Sequence, residues 1–302
     1  MHAPLPTRQP YSFDQTVAFI RRFPPCQGEY IVENDRLTAA VAVGERVVPL
    51  TLRRTGTTLE VETPRAADLP AVTARAAHWI GADDDVGALY TAARGDPAFC
   101  ALIEQLHGLH HVRFLTLEEI SVYCVMMQRT PIAMASRMKR AFLAVFGTSI
   151  EVAGRTLRAM PSFAALAELD GEAIGAAIRH PRKGQMIAAV VRGVAAIGEA
   201  TLRQAPYAEA RDALLAIPGI GPFSAGAILL RGLGRMDEVP SVAMFADAAE
   251  TIYGRAIDEA AIARRYGAQI GYWGFYLKAG AARKFGGEVA GHSGSEMSAS
   301  PT

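Results

Sequence analysis

The chain has 302 residues, half of them apolar, and 31 basic against 30 acidic side chains. This composition predicts a globular protein, and a net charge of +1 does not by itself indicate a polyanionic partner. The charge is unevenly placed, because residues 129–192 carry ten basic and four acidic side chains. One face of the protein is therefore expected to suit phosphate, although solvated helix faces would also explain the surplus.

Cysteine usage and hydropathy argue against secretion. The three cysteines (Cys26, Cys100 and Cys124) are odd in number and far apart, with no metal-ligand spacing and no disulfide framework. The N-terminal residues lack the apolar core of a signal peptide, and no uncharged apolar run reaches the roughly 18 residues of a membrane span. We expect a cytoplasmic, nucleoid-associated bacterial protein with no membrane contact.

The predicted elements divide the chain into three parts. Helical periodicity over residues 13–23 is followed by alternating apolar residues at 36–43, 47–53 and 58–62, which predict a small antiparallel sheet, and then by a helix over 69–80. From about residue 97 the pattern is helical throughout. The predicted fold is α+β and mostly α, with a mixed domain over 13–96, an all-helical domain over 97–285 and a disordered tail over 286–302.

The segment Pro218–Gly221 lies between two apolar helical stretches and predicts a hairpin. Gly219 and Gly221 permit positive φ in a tight turn, and Ile220 can pack between the helices. Pro222 suits the first position of the second helix, which leaves the amides near Phe223 and Ser224 free for a phosphate group. The alternative interpretation is an ordinary corner between two helices.

Several further stretches carry a resemblance to a known family. They are Asp83–Tyr90 with Asp96-Pro97, the helix end Val125–Thr130, the stretch Arg182–Ile187, and the hairpin followed by Leu230–Asp237. Together they resemble the helix-hairpin-helix DNA glycosylase superfamily, and within it the bacterial 3-methyladenine DNA glycosylase II branch. The resemblance implies binding of double-stranded DNA, base flipping and cleavage of the N-glycosidic bond.

The catalytic carboxylate of that family has no direct counterpart in this chain. The family places an aspartate two residues after a proline, and the corresponding pair here is Pro240 and Val242. Asp247 and Asp237 are the candidate substitutes for the carboxylate, while Glu238 is interpreted as a solvated loop residue. Asp237 fits a structural role in the loop better than catalysis, and Asp247 is rotated away from the expected direction on its helix.

The resemblance also bears on strand cleavage and on cofactors. Family members that cut the strand use a lysine in the second hairpin helix, where this chain has Phe223, so a monofunctional enzyme without lyase activity is expected. The chain has no cysteine after Cys124 and so lacks the quartet that holds an iron-sulfur cluster in one branch. No cofactor is predicted except a monovalent cation at the hairpin.

Two further sites follow from the resemblance. Gln128 and Arg129 are expected to fill the gap left by the flipped base, the alternative being a surface pair that caps a helix. The candidate residues for the base pocket are Trp273, Tyr272, Tyr123 and Phe223, with burial in the core as the alternative. An aromatic pocket of this kind would favour cationic alkylated purines through cation–π attraction.

The histidines at 107, 110 and 111 form a cluster that could resemble a metal site on a helix, but no cysteine or carboxylate completes a ligand set, and no metal is predicted. The sequence therefore predicts a monomeric, monofunctional glycosylase acting on alkylated or otherwise modified bases. The alternatives are a DNA-binding or lesion-recognition protein with impaired catalysis, and a hairpin used for protein contacts.

Overall fold

The computed structural model describes residues 1–239 and 241–288. The N-terminal part is a five-stranded antiparallel sheet with the strand order β1-β5-β4-β3-β2. Its strands are β1 (His2–Leu5), β2 (Ile31–Val32), β3 (Arg36–Val43), β4 (Arg46–Thr55) and β5 (Thr58–Glu62). The expected strands are present, and the sheet also includes β1, which precedes the predicted domain start at residue 13. A four-residue segment that contains a proline is too short to show alternation, so no local pattern predicts β1.

Two helices, α1 (Phe13–Arg22) and α2 (Leu69–Ile80), pack on the sheet, and α3 (Val86–Ala92) packs instead with the apolar cluster around the C-terminal helix. The inward residues of β3, β4 and β5 form a core with Val17 and Ile20 of α1 and Trp79 of α2. The register that pairs Val41 with Val48 and Leu52 with Val61 places apolar side chains opposite one another on this face. One face of the sheet is thus buried by helices.

Residues from 97 onward are mainly helical. The helices are α4 (Pro97–Gln105), α5 (Leu117–Met127), α6 (Ile132–Phe146), α7 (Phe163–Ala167), α8 (Gly171–Ile178), α9 (Pro181–Ile197), α10 (Glu199–Gln204), α11 (Tyr207–Leu215), α12 (Pro222–Ala227), α13 (Ala246–Tyr253), α14 (Glu259–Tyr266) and α15 (Ile270–Glu288). They form two apolar clusters, one around α5 and α9 and the other around α15. The tail predicted over 286–302 begins inside α15, and residues 289–302 lie outside the described residues.

The expectation of an all-helical second domain is wrong between residues 148 and 159. A hairpin of β6 (Thr148–Val152) and β7 (Arg155–Ala159) interrupts the helices there. Its tight turn places Ala153 and Gly154 at positive φ, and Leu157 and Ala159 pack against Ile31 and Ala40 of the N-terminal sheet. The alternation is only five residues long in each strand, so the helical residues on either side obscured it.

A close approach between α8 and α9 fixes the position of α9. A Cβ atom added at Gly184 would lie 2.3 Å from both the Gly171 carbonyl oxygen and the Gly175 nitrogen. Only glycine permits this contact without displacing backbone. The first turn of α9 therefore packs with its backbone directly against α8.

Candidate nucleic-acid interface

The predicted hairpin joins α11 to α12. Gly219 has a φ of +95°, and Ile220 is buried in the core around α5 and α9. Gly221 has a φ of −104° and a Cβ added to it would meet nothing within 4 Å, so the expectation of positive φ at Gly221 is wrong. Neither strain nor packing requires glycine there. Because Gly221 has no side chain, the start of α12 is open to a large ligand.

The first turn of α12 presents free backbone donors. In the described part of the chain, the amides of Phe223 and Ser224 have no acceptor, and the first bond in this turn runs from the Ala225 amide to the Gly221 carbonyl at 3.0 Å. The Ile217 carbonyl accepts one bond from the Ile220 amide at 3.0 Å and keeps a second lone pair, which is the kind of ligand a monovalent cation takes. The turn therefore offers donors for an anion and carbonyl oxygens for a cation.

Gln128 and Arg129 lie beside this turn. The Gln128 Nε2 donates to the Gly219 carbonyl at 2.8 Å and to the Ser224 Oγ at 3.2 Å. Arg129 is exposed and has a φ of 49°, which a residue with a Cβ rarely adopts. The pair is thus attached to the hairpin through Gln128, while the Arg129 side chain extends into solvent.

Lys183, at the start of α9, holds the segment that carries this pair, and the sequence analysis assigned it no role. Its buried Nζ donates to the Met126 carbonyl, to the Gln128 carbonyl at 3.0 Å and to the Thr130 hydroxyl. Burial lowers the pKa of the Lys183 ammonium. The sequence offers little signal for this role, because the neighbouring Arg182 is exposed and Lys183 reads equally well as a solvated residue.

A cavity of about 370 Å³ opens next to the hairpin. Its aromatic lining comprises Phe19, Phe23, Phe114, Tyr123, Phe223, Phe245 and Phe275. Two lining residues, Phe223 and Ile132, are 53% and 55% exposed although both are large and apolar. Exposed apolar side chains at the mouth of a cavity are typical of a binding surface.

Two of the predicted base-pocket residues do not line this cavity. Trp273 is fully buried, and its Nε1 donates to the Tyr253 hydroxyl at 3.1 Å. Tyr272 is buried on another side of α15, where its hydroxyl accepts the His111 amide at 3.0 Å and donates to Asp84. Because α15 is buried on nearly every side from residue 271 to 277, its aromatic residues did not indicate which face meets the cavity.

The cavity lining is mostly apolar but includes four cationic residues. These are Arg22, Arg231, Lys278 and Arg283, and the described lining includes no aspartate or glutamate. Arg231 lies in a π-helical turn, Ile228–Gly232, that continues α12, and its Nη1 donates to the His111 Nε2 at 2.9 Å. Burial lowers the pKa of Arg231 to about 10, so its guanidinium stays protonated at neutral pH. Burial also lowers the pKa of His111, so this imidazole is neutral and accepts the bond.

Solved structures with this architecture include a DNA glycosylase and a protein bound to DNA. A 3-methyladenine DNA-glycosylase from Archaeoglobus fulgidus has a TM-score of 0.75 at 19% identity and covers 92% of this chain and 96% of its own. The protein MBOgg1, solved with a low-affinity DNA ligand, has a TM-score of 0.70 at 20% identity and covers 91% of this chain and 93% of its own.

No family model matches the chain. Two curated proteins are nonetheless similar to it in sequence. A DNA-3-methyladenine glycosylase of Bacillus subtilis is 27% identical over 157 residues, which are 51% of this chain and 52% of that protein. A probable bifunctional transcriptional activator/DNA repair enzyme AlkA of Mycobacterium tuberculosis is 28% identical over 244 residues, 78% of this chain and 48% of that protein. The chain has the fold of the Archaeoglobus glycosylase and is similar in sequence to the Bacillus and Mycobacterium proteins. It spans about half the length of these curated relatives.

Within this fold, the three acidic candidates lie away from the cavity wall. Asp237 forms a two-point ion pair with Arg235, with Nη2 to Oδ2 at 3.0 Å and Nε to Oδ1 at 3.2 Å. Glu238 is exposed, and Asp247 is exposed in the first turn of α13. Val242 starts a short 3₁₀ turn and is half-buried, while the preceding Pro240 lies outside the described residues.

The histidines at 107, 110 and 111 contact groups other than a metal ion within the described residues. Both ring nitrogens of His110 lie near backbone carbonyls, Nδ1 at 2.7 Å from Gly81 and Nε2 at 3.0 Å from Pro10. His107 packs against the ring of Tyr90 with centroids 5.6 Å apart. Over residues 1–239 and 241–288, no three histidine, cysteine or acidic side chains could hold a metal ion together, and no helix is long and apolar enough to cross a membrane.

Proposed function

We propose that this protein is a monomeric DNA glycosylase that binds duplex DNA, takes one modified base into the cavity and hydrolyses its N-glycosidic bond. The observation that carries the proposal is the position of the cavity mouth directly beside the hairpin. Phe223 belongs to both, since it is the second residue of α12 and also an exposed lining residue of the cavity. A phosphate held at the hairpin would therefore place the neighbouring nucleotide within reach of the cavity.

Each part of the interface has a distinct role in this proposal. The free amides of Phe223 and Ser224 bind a phosphate group, with a monovalent cation on the hairpin carbonyls as a second contact for the DNA backbone. Gln128 and Arg129 fill the space that the flipped base leaves. The protein acts in the bacterial cytoplasm on nucleoid DNA.

The reaction is proposed to stop at an abasic site. Strand cleavage would need an amine that forms a Schiff base with the sugar, and α12 offers Phe223 at the position where such a lysine would stand. The Lys278 amine, on the cavity wall, is the group to test. Borohydride should leave no covalent complex between the protein and DNA, and a trapped complex that Lys278→Ala abolishes would contradict monofunctional action.

A second candidate function is recognition of modified DNA without excision. The observation in its favour is the lack of any carboxylate among the described lining residues, since such a group would stabilise positive charge on the sugar as the bond breaks. In that case the protein binds a modified duplex and releases no base.

A variant that fills the cavity shows whether bases are released in this cavity or by a contaminating glycosylase in the preparation. Ala227 lines the cavity and is half-buried, whereas Ala208 is exposed on α11 and outside the lining. Ala227→Trp should abolish base release from N-methylated or deaminated duplex DNA while duplex binding persists. Ala208→Trp should release bases at the wild-type rate, and equal release by both variants would exclude the cavity as the site of reaction.

A further inference from the structure

The arginines in two parts of the chain differ in their ion pairing. In the N-terminal part, five arginines form ion pairs, namely Arg8 with Asp85, Arg36 with Glu62, Arg46 with Asp68, Arg53 with Glu60 and Arg54 with Asp14. Residues 129–192 contain eight arginines, and all eight are exposed. Within the described part of the chain, none of the eight lies within ion-pair distance of a carboxylate. Their positive charge is therefore available to a polyanion outside the protein.

Two of the eight flank the start of α9, beside the DNA-facing segment. Arg179 caps the C-terminal end of α8, and Arg182 lies in the first turn of α9. The next residue, Lys183, donates to the Gln128 carbonyl at 3.0 Å. Arg179 has a φ of 54°, in the left-handed region that residues with a Cβ seldom adopt, as Arg129 does at 49°. Strained backbone of this kind concentrates at ligand contacts, so both sides of this junction carry an arginine suited to one.

Arg137 belongs to the same area through α6. It lies in the second turn of that helix, about 7.5 Å along the axis from Ile132, which lines the cavity. The α6 helix packs against α8, the helix that Arg179 caps. We name Arg137, Arg179 and Arg182 the second basic surface.

Gln128 lies between this surface and the hairpin. Its side-chain Nε2 donates to the Gly219 carbonyl, whereas its main-chain carbonyl accepts from Lys183. Under the proposed function, Gln128 and Arg129 occupy the gap that a flipped base leaves between the two strands. The strand bound by the hairpin amides then lies on one side of the gap, and the phosphate groups of the complementary strand lie on the other side, towards the second basic surface.

We propose that the second basic surface binds phosphate groups of the DNA strand complementary to the one held by the hairpin. This inference rests on the proposed function and adds the second strand to its DNA contacts. Arginine suits the role, because its planar guanidinium donates two parallel hydrogen bonds to a phosphate group and stays charged at physiological pH. Contacts of this kind position the duplex without selecting a sequence.

The ratio of duplex affinity to single-strand affinity tests the proposal. The probes are a labelled duplex with one tetrahydrofuran nucleotide, which carries no base, and the single strand that contains this nucleotide. They reproduce the gap whatever base is excised. In Arg137→Gln/Arg179→Gln, fluorescence anisotropy should show that duplex affinity falls about tenfold and single-strand affinity less than about twofold. The slope of log affinity against log salt concentration should fall by about two for the duplex alone. An equal loss of affinity on both probes would overturn the proposal.

The matched control removes the same charge elsewhere. Arg155 and Arg158 are also exposed and belong to β7, which packs against the N-terminal sheet. Arg155→Gln/Arg158→Gln should keep duplex affinity within about twofold of the wild-type value. A loss as large as that of Arg137→Gln/Arg179→Gln would mean that net charge causes the effect, and it would overturn the proposal. Circular dichroism checks that both variants are folded.

Uncharged linkages assign the contact to a strand. In one duplex, methylphosphonate groups replace the phosphates of the complementary strand opposite the tetrahydrofuran, and in another they replace phosphates of the strand that carries it. The first change should weaken wild-type binding about tenfold and leave Arg137→Gln/Arg179→Gln almost unaffected, because the variant has already lost those contacts. The second change should weaken both proteins equally. If the variant is insensitive to the second change instead, the arginines bind the strand with the tetrahydrofuran and the proposal is wrong.

These binding tests are independent of base release. A duplex preference that Arg137→Gln/Arg179→Gln abolishes, in a wild-type protein that releases no base from any modified duplex, would support the second basic surface and contradict the proposed glycosylase activity. Base release together with equal losses on duplex and single strand would contradict this inference alone.

Discussion

Lys183 supports the DNA-facing segment, so its replacement should affect stability and DNA binding together. Lys183→Met keeps most of the side-chain volume and removes the ammonium group. The buried Met126 carbonyl and the Thr130 hydroxyl then lose the Lys183 donor. The Gln128 carbonyl also loses it but keeps the bond that it accepts from the Thr130 hydroxyl at 2.9 Å. An unsatisfied buried acceptor costs about 1–3 kcal/mol, while removal of a buried charge returns part of that amount. We expect a net loss of about 2 kcal/mol in the free energy of unfolding.

The loss should also reach the interface, because Arg129 keeps its positive φ only while the surrounding turn is held in place. Urea unfolding at pH 7 measures the stability, and fluorescence anisotropy with a labelled duplex measures binding, which should weaken about three- to tenfold. Arg182→Met is the matched control for stability, since Arg182 is the exposed neighbour of Lys183 in α9. If Lys183→Met kept both wild-type stability and wild-type affinity, the supporting role derived from its contacts would be refuted.

Three further predictions concern the hairpin, the acidic candidate and a buried histidine. Gly219→Ala should lower the free energy of unfolding by about 1–2 kcal/mol, because φ is positive at this residue. Gly221→Ala should change the free energy of unfolding by less than about 0.5 kcal/mol and still weaken duplex binding. Urea unfolding and fluorescence anisotropy measure the two properties, and a larger loss of stability in Gly221→Ala than in Gly219→Ala would contradict the reasoning. Asp247→Asn should release bases at the wild-type rate in a single-turnover assay, because Asp247 is exposed outside the cavity wall, and a large rate loss would restore it as the carboxylate. Burial lowers the pKa of His111, so below the ordinary histidine pKa the unfolded chain binds a proton that the folded protein excludes. The contribution of His111 to the free energy of unfolding should therefore be fully present above about pH 6.5. Below that pH it should fall by up to about 1.4 kcal/mol per pH unit. His111→Gln should lose that part of the slope in urea unfolding between pH 5 and 8, and an unchanged slope would show that His111 does not cause it.

The sequence predicted features that depend on local patterns. The alternating residues at 36–43 and 58–62 predicted strands that the structure contains, because one face of the sheet is buried and register is strongly specified. The hairpin was equally recognisable from Pro218–Gly221, since a positive φ at Gly219 and a proline opening α12 are local requirements. The superfamily resemblance rested on the same stretch.

Features that depend on which face of a helix meets which neighbour were harder to predict. The aromatic run in α15 indicated a pocket, but burial on nearly all sides of that helix concealed that Phe275 lines the cavity and Trp273 does not. Lys183 and Met126 are 57 residues apart, so no local pattern indicates their contact.

The charge of the cavity was equally inaccessible to sequence reasoning. Arg231 lies within the recognised stretch that follows the hairpin, but its three phenylalanine partners come from α1, the segment after it and α15. Only the folded arrangement shows that these rings already hold a cation. The expectation that an aromatic pocket favours cationic alkylated purines stays a prediction.

The most direct test of the account measures base release and abasic-site formation together. Wild-type protein and Ala227→Trp would be incubated with duplexes that each contain one hypoxanthine, one N7-methylguanine or only normal bases. The account predicts that wild-type protein releases at least one of the two modified bases, with one abasic site for each base released and no strand cleavage, and that Ala227→Trp releases neither. No release above a protein-free control from any modified duplex would contradict the claim that this chain is a DNA glycosylase.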